Sequence, residues 1–216
     1  MSVAVAPHGL AVAATTIRDL GRLDYRDTYS RMRGFTATRT ERTPDELWIV
    51  EHPPVYTVGL AGRDEHLPRH GNIAVERIDR GGQITYHGPG QAIVYTLVDL
   101  GRRHLKVRTM VSLLEHAAID LLASARVTAQ RRPDAPGVYV NNAKIAALGL
   151  RVTRGCCYHG IALNVDMDLT PFAAIDPCGY PGLAVTQTKA LGVARNRAEL
   201  GRALAERILH LLDHTP

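Results

Sequence analysis

The sequence predicts a single α+β or mixed α/β domain in which a central mixed sheet is flanked by helices. Three observations favour this class. The chain has 216 residues, a length that suits one large domain. Several short apolar runs bounded by glycine or proline follow one another directly, as expected for antiparallel strands. Three longer segments carry apolar residues at the three- to four-residue spacing of an amphipathic helix.

The first half of the chain predicts one helix and a series of strands. Residues 1–14 are small and apolar, and we expect a loose tail there, before a catalytic domain at 15–216. The segment Asp24–Arg39 predicts a helix, with Asp24 as its N-cap. Strands are expected at Thr15–Leu20, Leu47–Glu51, Val55–Leu60, Ile73–Arg80, Gln83–Tyr86 and Gln91–Leu100, and a loop at Arg63–Asn72.

The second half predicts two longer helices. Val107–Arg126 has the most regular pattern, with one apolar face formed by Val107, Met110, Val111, Leu114, Ala117, Ala118, Leu121 and Leu122. Arg197–His214 is expected to be a terminal helix that buries Leu200, Leu204, Ile208, Leu211 and Leu212. Between them we expect a connection at Arg131–Gly137, strands at Gly137–Val140, Lys144–Val152 and His159–Val165, a short helix within Asp168–Ile175, and a loop at 176–182.

Composition and charge limit the classes of protein. Hydrophobic residues make up 45% and charged residues 22% of the chain, a mixture typical of folded domains. Apolar runs stay shorter than the roughly 20 residues that cross a bilayer, so no membrane association is expected. The run Leu10–Ala14 is too short for a signal peptide and no basic residue precedes it, which favours a cytoplasmic location.

The positive charge of the chain favours an acidic protein partner over nucleic acid. The net charge is +5 and the isoelectric point is about 9.3. Basic residues are dispersed, and aromatic residues make up only 5% of the chain, so the interleaved pattern of a nucleic-acid surface is absent from the sequence. A dispersed positive surface suits encounter with an acidic protein.

The cysteines and histidines do not form a metal-ligand pattern. The three cysteines are odd in number and include no CxxC pair, which disfavours both a disulfide framework and a zinc site. The ten histidines are scattered. Cys156 and Cys157 are expected to precede a strand and to have a packing role. No metal site is therefore expected.

Cys178 and Lys144 are the candidate catalytic residues. Cys178 lies between Pro177 and Gly179 in a rigid loop, where a thiol can act as a nucleophile and a neighbouring N–H can stabilise an oxyanion. The alternative is a structural cysteine. Lys144 is one of only three lysines and begins an apolar run, where partial burial lowers the pKa of a lysine. Its alternative is a solvated lysine at the end of a strand.

Two His-Gly pairs and two glycine turns are further candidates. His87 and His159 each precede a glycine beside a predicted strand, and a satisfied polar side chain is the alternative interpretation of each. The turn at Arg80-Gly81-Gly82 matches neither the Walker pattern nor GxGxxG, so on its own it indicates only a tight turn.

These segments together resemble a known family. The twelve residues from Arg80 to Gln91, RGGQITYHGPGQ, are similar to the signature of the lipoyl(octanoyl) transferase family. The blocks KIAALG from Lys144, HG at His159 with ALNV from Ala162, and PCG at Cys178 follow in the order of that family. Gln83-Ile84 departs from the more familiar Asp-Val type pair. The resemblance extends from about Asp24 to the terminal helix.

The resemblance implies a fold, a reaction and a site. The fold is that of the biotin and lipoate protein ligases. The reaction is transfer of an octanoyl group from acyl carrier protein to a lysine of a lipoyl domain, through a thioester on Cys178 with Lys144 as its partner, and it needs no cofactor or metal. Substrate-binding residues carried over by the resemblance are Arg80, Gly81, Gly82, Thr85, Tyr86, His87, Gly88, Ala147, Leu148, Gly149, His159, Gly160 and Ala162.

The implied partners and the alternative functions complete the expectation. The acceptors would be lipoyl domains of 2-oxoacid dehydrogenase complexes and the carrier protein of glycine cleavage, and a monomer is expected. An ATP-dependent lipoate or biotin protein ligase is the nearest alternative among enzymes. A non-catalytic binder of carrier domains is the alternative from another class, and a basic nucleic-acid module is a third.

Overall fold

The structure of the protein is a computed structural model that describes residues 14–68, 71–133, 135–176 and 182–215. The described residues form two mixed sheets and three α-helices, so the predicted mixed α/β class is confirmed. The expected tail at 1–14 lies outside the described residues except for Ala14.

The elements follow the sequence patterns closely. The strands are β1 (Thr16–Arg22), β2 (Glu46–Glu51), β3 (Val55–Val58), β4 (Ala74–Arg77), β5 (Ile84–His87), β6 (Gln91–Asp99), β7 (Gln130–Arg131), β8 (Val138–Val140), β9 (Ala143–Thr153) and β10 (Cys156–Asn164). The helices are α1 (Tyr25–Thr38), α2 (Val107–Ser124) and α3 (Arg197–His214). Short 3-10 helices lie at Asp64–His66, Thr170–Ala174 and Lys189–Leu191.

The larger sheet has seven strands in the order β1-β2-β6-β10-β9-β8-β7. Only the β1–β2 pair is parallel among its described pairs. Successive side chains of β2 enter opposite cores: Leu47 and Ile49 pack with α2 and α3, whereas Trp48 and Val50 pack with α1. Helices cover both faces, which explains why every residue of β2 is buried.

The smaller sheet has three strands in the order β4-β3-β5. The β3–β4 pair is parallel and the β3–β5 pair is antiparallel. Its buried side chains form a separate apolar cluster with residues that follow β10, among them Met167 and Phe172. The smaller sheet therefore lies beside the larger one, and the segments between them can enclose a cavity.

Two strand predictions are corrected. β10 begins at Cys156 rather than His159, because Cys156 and Cys157 already pair with Thr153 and Val152 of β9. Both cysteines thus lie within the strand and are buried. The connection predicted from Arg131 instead follows a short strand, since Gln130 and Arg131 pair with β8.

The helix boundaries reflect their caps and their packing. The Asp24 carboxylate accepts hydrogen bonds from the first turn of α1, as predicted. Asn196 and Glu199 form a capping box at the start of α3. The predicted core face of α2 is wrong at its first turn, because Val107 is 45% exposed and Val111 is only partly buried. None of the helices in the described ranges has the length and apolarity needed to span a bilayer.

One buried carboxylate joins chain segments at one end of strands β2 and β6. Asp45 is fully buried and accepts hydrogen bonds from Arg39, Arg102 and Arg103 at 2.5, 2.7 and 2.7 Å. The backbone N–H of Asp99 donates to the same carboxylate at 2.9 Å. The cluster joins the end of α1 and the start of β2 to the segment that follows β6.

We predict that Asp45→Asn lowers the free energy of unfolding by about 3–5 kcal/mol, because three guanidinium groups lose the charge that pairs them. Urea denaturation at neutral pH measures the change. Asp213→Asn is the matched control, since Asp213 is half exposed and pairs only with Arg103 among the described side chains; its effect should stay within about 0.5 kcal/mol. Equal effects of the two variants would contradict this role of Asp45.

Candidate active site

A cavity of about 370 Å³ lies between β9, β10, β5 and the turn at Arg80-Gly81-Gly82. Its wall includes most residues predicted to bind substrate, although they come from distant parts of the chain. Those residues are Arg80, Gly81, Gly82, Thr85, His87, Ala147, Leu148, Gly149, His159, Gly160 and Ala162. Val107 and Val111 of α2 also line it, which explains why these two residues do not join the core as Met110 does.

Tyr86 and Gly88 lie outside the cavity lining. The Tyr86 ring packs against Tyr56 and Phe172, with centroids 5.6 and 5.5 Å apart. A Cβ at Gly88 would stand 2.3 Å from the Tyr86 hydroxyl oxygen. Gly88 therefore leaves room for the tyrosine, and the pair supports the smaller sheet rather than contacting the cavity.

The turn at Arg80-Gly81-Gly82 is held from both sides by backbone hydrogen bonds. Leu60 N–H donates to Arg80 O at 2.9 Å, and Gly81 N–H donates to Leu150 O of β9 at 2.9 Å. Gly82 has a φ of +82°, which a glycine adopts without strain. A Cβ at Gly149 would stand 3.1 Å from Gly81 O. The glycines therefore allow the turn to lie directly against β9.

The buried side chain of Arg80 reaches into β3. Its Nη2 donates to Thr57 O at 2.6 Å and to Thr57 Oγ1 at 2.9 Å, and its Nη1 donates to Gly81 O at 3.0 Å. A guanidinium presents several donors in a fixed plane, which suits a site with several carbonyl acceptors. Arg80 thus joins its own turn to the smaller sheet and places positive charge at the cavity wall.

The hydrogen bonds of His87 fix its tautomer. The amide of Gln91 donates through Nε2 to Asn164 Oδ1 at 2.9 Å, so its Oε1, 2.8 Å from His87 Nδ1, is an acceptor. His87 Nδ1 therefore carries the proton. Thr57 Oγ1 accepts from Arg80 and lies 3.4 Å from His87 Nε2, to which it can donate. Burial lowers the pKa of His87 to about 3, so the ring is neutral at physiological pH.

His52 is a second buried neutral histidine, and sequence reasoning missed it. Its Nδ1 donates to Leu23 O at 2.7 Å, and its Nε2 accepts from the Tyr95 hydroxyl at 2.8 Å. Burial lowers the pKa of His52 to about 4. The His52 ring lies 6.1 Å from that of His87, and Tyr25 contacts both rings. Two protonated imidazoles would repel here, which also favours the neutral forms.

His159 lies at the other end of the histidine group. Its Nε2 is 3.2 Å from Asp79 Oδ1, and the Tyr158 hydroxyl donates a short hydrogen bond to Asp79 Oδ2. Although burial alone would raise the pKa of Asp79, the hydrogen bonds from His159, Tyr158 and Tyr29 hold it well below its usual value. Burial lowers the pKa of His159, and Asp79 partly opposes that effect.

Lys144 lies in β9 beside the cavity and is buried. Its backbone N–H donates to Ala184 O at 2.8 Å, and its carbonyl accepts from Thr186 N–H at 3.0 Å. The Nζ donates to Pro136 O at 3.1 Å and stands 5.2 Å from the centre of the Tyr139 ring. Pro136 lines the cavity, so this one residue stands between the ammonium group of Lys144 and the cavity. The residues after Lys144 belong to strand β9 and not to a loop. Their backbone groups are therefore largely used in pairing with β8 and β10.

A continuous polar network connects the turn at Arg80 to the backbone of Lys144. From His87 it continues through Gln91 to Asn164, whose Nδ2 donates to Thr186 O at 3.0 Å. Thr186 N–H in turn bonds to Lys144 O. The network couples the positions of the predicted residues even where their side chains do not touch.

Cys178 lies outside the described residues, together with Pro177 and Gly179. On one side of this segment, Asp176 Oδ2 is 3.1 Å from His66 Nδ1. On the other side, Val185 forms an isolated parallel bridge with Lys144. In the part of the chain that is described, no group of three or more His, Cys, Asp or Glu side chains could hold a metal ion.

Cys156 and Cys157 have a packing role in the strand. Burial raises the pKa of the Cys157 thiol to about 12, and its Sγ lies 3.4 Å from Thr96 O. Burial also raises the pKa of Cys156. Since the thiolate is the reactive form, both thiols are poor nucleophiles.

Comparison with known proteins gives close relatives in sequence. The model of the lipoyl protein ligase A/B catalytic domain family matches residues 24–209. An octanoyltransferase of Thiobacillus denitrificans is 60% identical over 190 residues, which cover 88% of this chain and 87% of the relative. An octanoyltransferase of Dechloromonas aromatica is 57% identical over 197 residues, which cover 91% of this chain and 96% of the relative.

Solved structures share the fold at low sequence identity. A lipoate-protein ligase A bound with ATP has a TM-score of 0.74 at 14% identity, covering 93% of this chain and 86% of the ligase. A bipartite lipoate protein ligase from Thermoplasma acidophilum has a TM-score of 0.76 at 15% identity, covering 93% and 84%. A biotin protein ligase from Aquifex aeolicus has a TM-score of 0.57 at 12% identity, covering 92% and 70%. The expected ligase-like fold is confirmed.

We predict that the free energy of unfolding falls as the pH drops from 6.5 to about 4.5. His87 and His52 titrate at about 3 and 4 in the folded chain but near 6.5 when unfolded, so the unfolded state binds more protons in this window. Each histidine contributes a slope of up to about 1.4 kcal/mol per pH unit. Urea titrations of the wild type and of His87→Asn, whose amide can still donate to Gln91, measure the slope.

His87→Asn should remove the contribution of His87 to this pH slope. The free energies of unfolding of wild type and variant should therefore converge as the pH falls. Above pH 7 neither slope should contain this contribution, because the histidines are then neutral in both states. Identical slopes in the two proteins between pH 6.5 and 4.5 would show that His87 is not buried as a neutral ring.

Proposed function

The chain belongs to the lipoyl protein ligase A/B catalytic domain family, and from this premise we propose that it transfers an octanoyl group from acyl carrier protein to a lysine of a lipoyl domain. The observation that carries the proposal is identity of 60% and 57%, over about nine-tenths of the chain, to proteins named octanoyltransferase. The cavity beside buried Lys144 supports it, because a mostly apolar wall suits a medium-length acyl chain.

In the first half of the proposed reaction, Cys178 takes the acyl group. Its thiolate attacks the carbonyl carbon of the octanoyl thioester, and the bond from that carbon to the carrier sulfur breaks. Lys144 gives a proton to the departing phosphopantetheine thiolate. The product is an octanoyl thioester on Cys178. A lysine ammonium beside the cysteine favours the thiolate that begins this sequence.

In the second half, the acyl group passes to nitrogen. The neutral amine of the lipoyl-domain lysine attacks the Cys178 thioester, and its proton returns to Lys144. Cys178 leaves as the thiolate, so both residues regain their starting states. Exchange between thioesters is nearly balanced, whereas amide formation drives the overall transfer. The scheme is ping-pong and needs neither ATP nor a metal.

The contacts of Lys144 and the sequence position of Cys178 support this assignment in different ways. Lys144 is buried beside the cavity, with its backbone bonded to Ala184 and Thr186 and its Nζ bonded to Pro136. Cys178 precedes Ala184 by only six residues in the sequence. The buried thiols of Cys156 and Cys157 have raised pKa values and are poorer candidates for the nucleophile.

The other predicted residues have binding and orienting roles in the proposal. The neutral ring of His87, with its fixed tautomer, suits a donor or acceptor role in the wall and not that of a base at neutral pH. Arg80 and His159 shape the same wall, and the glycines Gly81, Gly82, Gly149 and Gly160 let backbone segments approach closely. We assign Thr85, Ala147, Leu148 and Ala162 to contact with the acyl chain.

Partners, location and domain limits belong to the same proposal. The net charge of +5 favours encounter with acidic carrier proteins. We propose that the acceptors include lipoyl domains of 2-oxoacid dehydrogenase complexes and the carrier protein of glycine cleavage. We further propose that the chain acts as a cytoplasmic monomer whose catalytic domain spans 15–216.

The principal test asks whether Cys178 carries the acyl group. Wild-type protein mixed with octanoyl carrier protein without ATP should gain the mass of one octanoyl unit, and a lipoyl domain should discharge it. Cys178→Ser should show neither the adduct nor transfer. Cys156→Ser is the matched control and should retain both, because that thiol is buried within β10. Transfer by wild type without any adduct would mean direct transfer.

A second test concerns the proton carried by Lys144. Lys144→Arg keeps the positive charge but cannot lose a proton, so the rate of transfer should fall about 10²- to 10⁴-fold. Lys189→Arg is the matched control, since Lys189 is exposed and pairs with Asp166 at 2.8 Å. Steady-state rates with octanoyl carrier protein measure both. A Lys144→Arg enzyme as fast as wild type would limit Lys144 to an electrostatic role.

A further inference from the structure

The cavity and a second, polar groove lie one strand position apart. Along the β9–β10 ladder, Ala147 faces Ala162, Gly149 faces Gly160, and Leu150 faces His159. All six residues line the cavity. In the next pair Arg151 faces Tyr158, and both of these residues line an open groove of about 540 Å³ instead. The cavity therefore ends at the pair formed by Leu150 and His159.

The groove beyond this point is unsuited to a hydrocarbon chain. Its wall contains the guanidinium groups of Arg33, Arg151 and Arg154, together with Asp79 and Thr153. Arg154 also donates to Ala37 O at 2.7 Å at the end of α1. A methyl terminus placed there would displace water from charged groups without replacing their hydrogen bonds.

A group of contacting side chains lies between the two spaces. His159 faces the cavity, Asp79 and Tyr158 face the groove, and the His159–Asp79 contact at 3.2 Å joins them. The rings of Tyr158 and Tyr29 stack on the imidazole, with centroids 4.9 and 5.6 Å apart. The Asp79 carboxylate is hydrogen-bonded to both the Tyr158 hydroxyl and the His159 ring. Movement of any one of these three side chains would therefore break a contact.

The backbone of His159 fixes the direction of this wall. Its φ is +65°, a left-handed conformation that is uncommon for a residue other than glycine. Thr96 Oγ1 donates to His159 O at 3.1 Å and holds that carbonyl. The conformation places the imidazole at the end of the cavity instead of continuing the regular alternation of β10.

The length of the cavity along the ladder matches a medium-length chain. Ala147 and Leu150 are three residue steps apart, which is about 10 Å at the rise of a β-strand. An extended eight-carbon chain is of this order. A chain with two to four more carbons would have to pass the His159 ring.

We infer that the wall formed by His159, Asp79, Tyr158 and Tyr29 is the chain-length determinant of the acyl cavity, with His159 as the residue that the methyl end meets. The inference rests on the proposed function for the identity of its ligand, a saturated acyl chain. Without the imidazole, the chain would extend between the side chains of Tyr29 and Tyr158. His159 is thus a specificity-determining residue and takes no part in the chemical steps.

The test uses His159→Gly, because glycine adopts the observed φ without strain and removes the ring. Binding of free octanoate, decanoate and dodecanoate is measured by calorimetry, and transfer from the three carrier thioesters is measured in parallel. The ratio of decanoyl to octanoyl affinity should rise at least about tenfold over wild type, from the burial of two further methylene groups. His104→Gly is the matched control, since exposed His104 also has a positive φ, +54°, and lies outside the cavity lining.

A second variant tests the same wall from the opposite direction. Leu150→Phe enlarges another side chain of the cavity lining and should shift preference from octanoate toward hexanoate. If His159→Gly and Leu150→Phe both keep the wild-type order of chain lengths, the inference is overturned. If either one fails to fold, the other decides.

The two readouts separate this inference from the proposed function. Free acids report the depth of the cavity whether or not the chain is a transferase. A length shift in binding without any transfer by wild type would keep the wall and contradict the proposed reaction. Transfer by wild type with no length shift in the variants would keep the reaction and reject the wall.

Discussion

The contact of the Arg80 turn with β9 is the constraint on which the cavity depends. The two sheets belong to different apolar clusters, and this turn bonds to both of them. Its backbone meets Leu60 on one side and Leu150 on the other, while the Arg80 guanidinium reaches Thr57. A Cβ at Gly149 would crowd the turn, so the close approach needs a residue without a side chain. The cavity is the space between this turn and strands β9 and β10.

Buried histidines with hydrogen-bonded partners lie in and behind the wall of that cavity. His52, His87 and His159 are all buried, and burial favours the uncharged form of each. Each ring has a hydrogen-bonded partner that orients it. Buried networks of this kind specify one arrangement only when every member is satisfied. The hydrogen bonds offset part of the cost of burying the three polar rings.

Periodicity and turn residues were sufficient to predict most elements of the fold. The bounds of α3 and the N-cap of α1 follow directly from local signals. The start of β10 and the existence of β7 could not be predicted, because both depend on pairing with distant strands. The first turn of α2 carries an apolar pattern that is the same whether it faces a core or a cavity. Sequence alone cannot separate these two environments.

The candidate site was predictable where residue type and motif both carry information. Lys144 stood out by its scarcity and its apolar neighbours, and the block from Arg80 to Gln91 by its resemblance to a family. Tyr25, Tyr95, His52 and Asp79 had no such signal. They come together only through tertiary packing, from α1, β6 and two loops. Buried tyrosines need a partner for the hydroxyl, which explains why they gather around histidine and carboxylate groups.

The glycine pair at the middle of the β9–β10 ladder limits how this scaffold can diversify. A Cβ at Gly160 would stand 2.0 Å from Val94 O, and one at Gly149 would press on the Arg80 turn. A larger residue at Gly160 would require the backbone to move, and one at Gly149 would require the Arg80 turn to shift slightly. The two ends of the cavity, rather than the glycine pair at its middle, are therefore the places where substitutions can alter its selectivity.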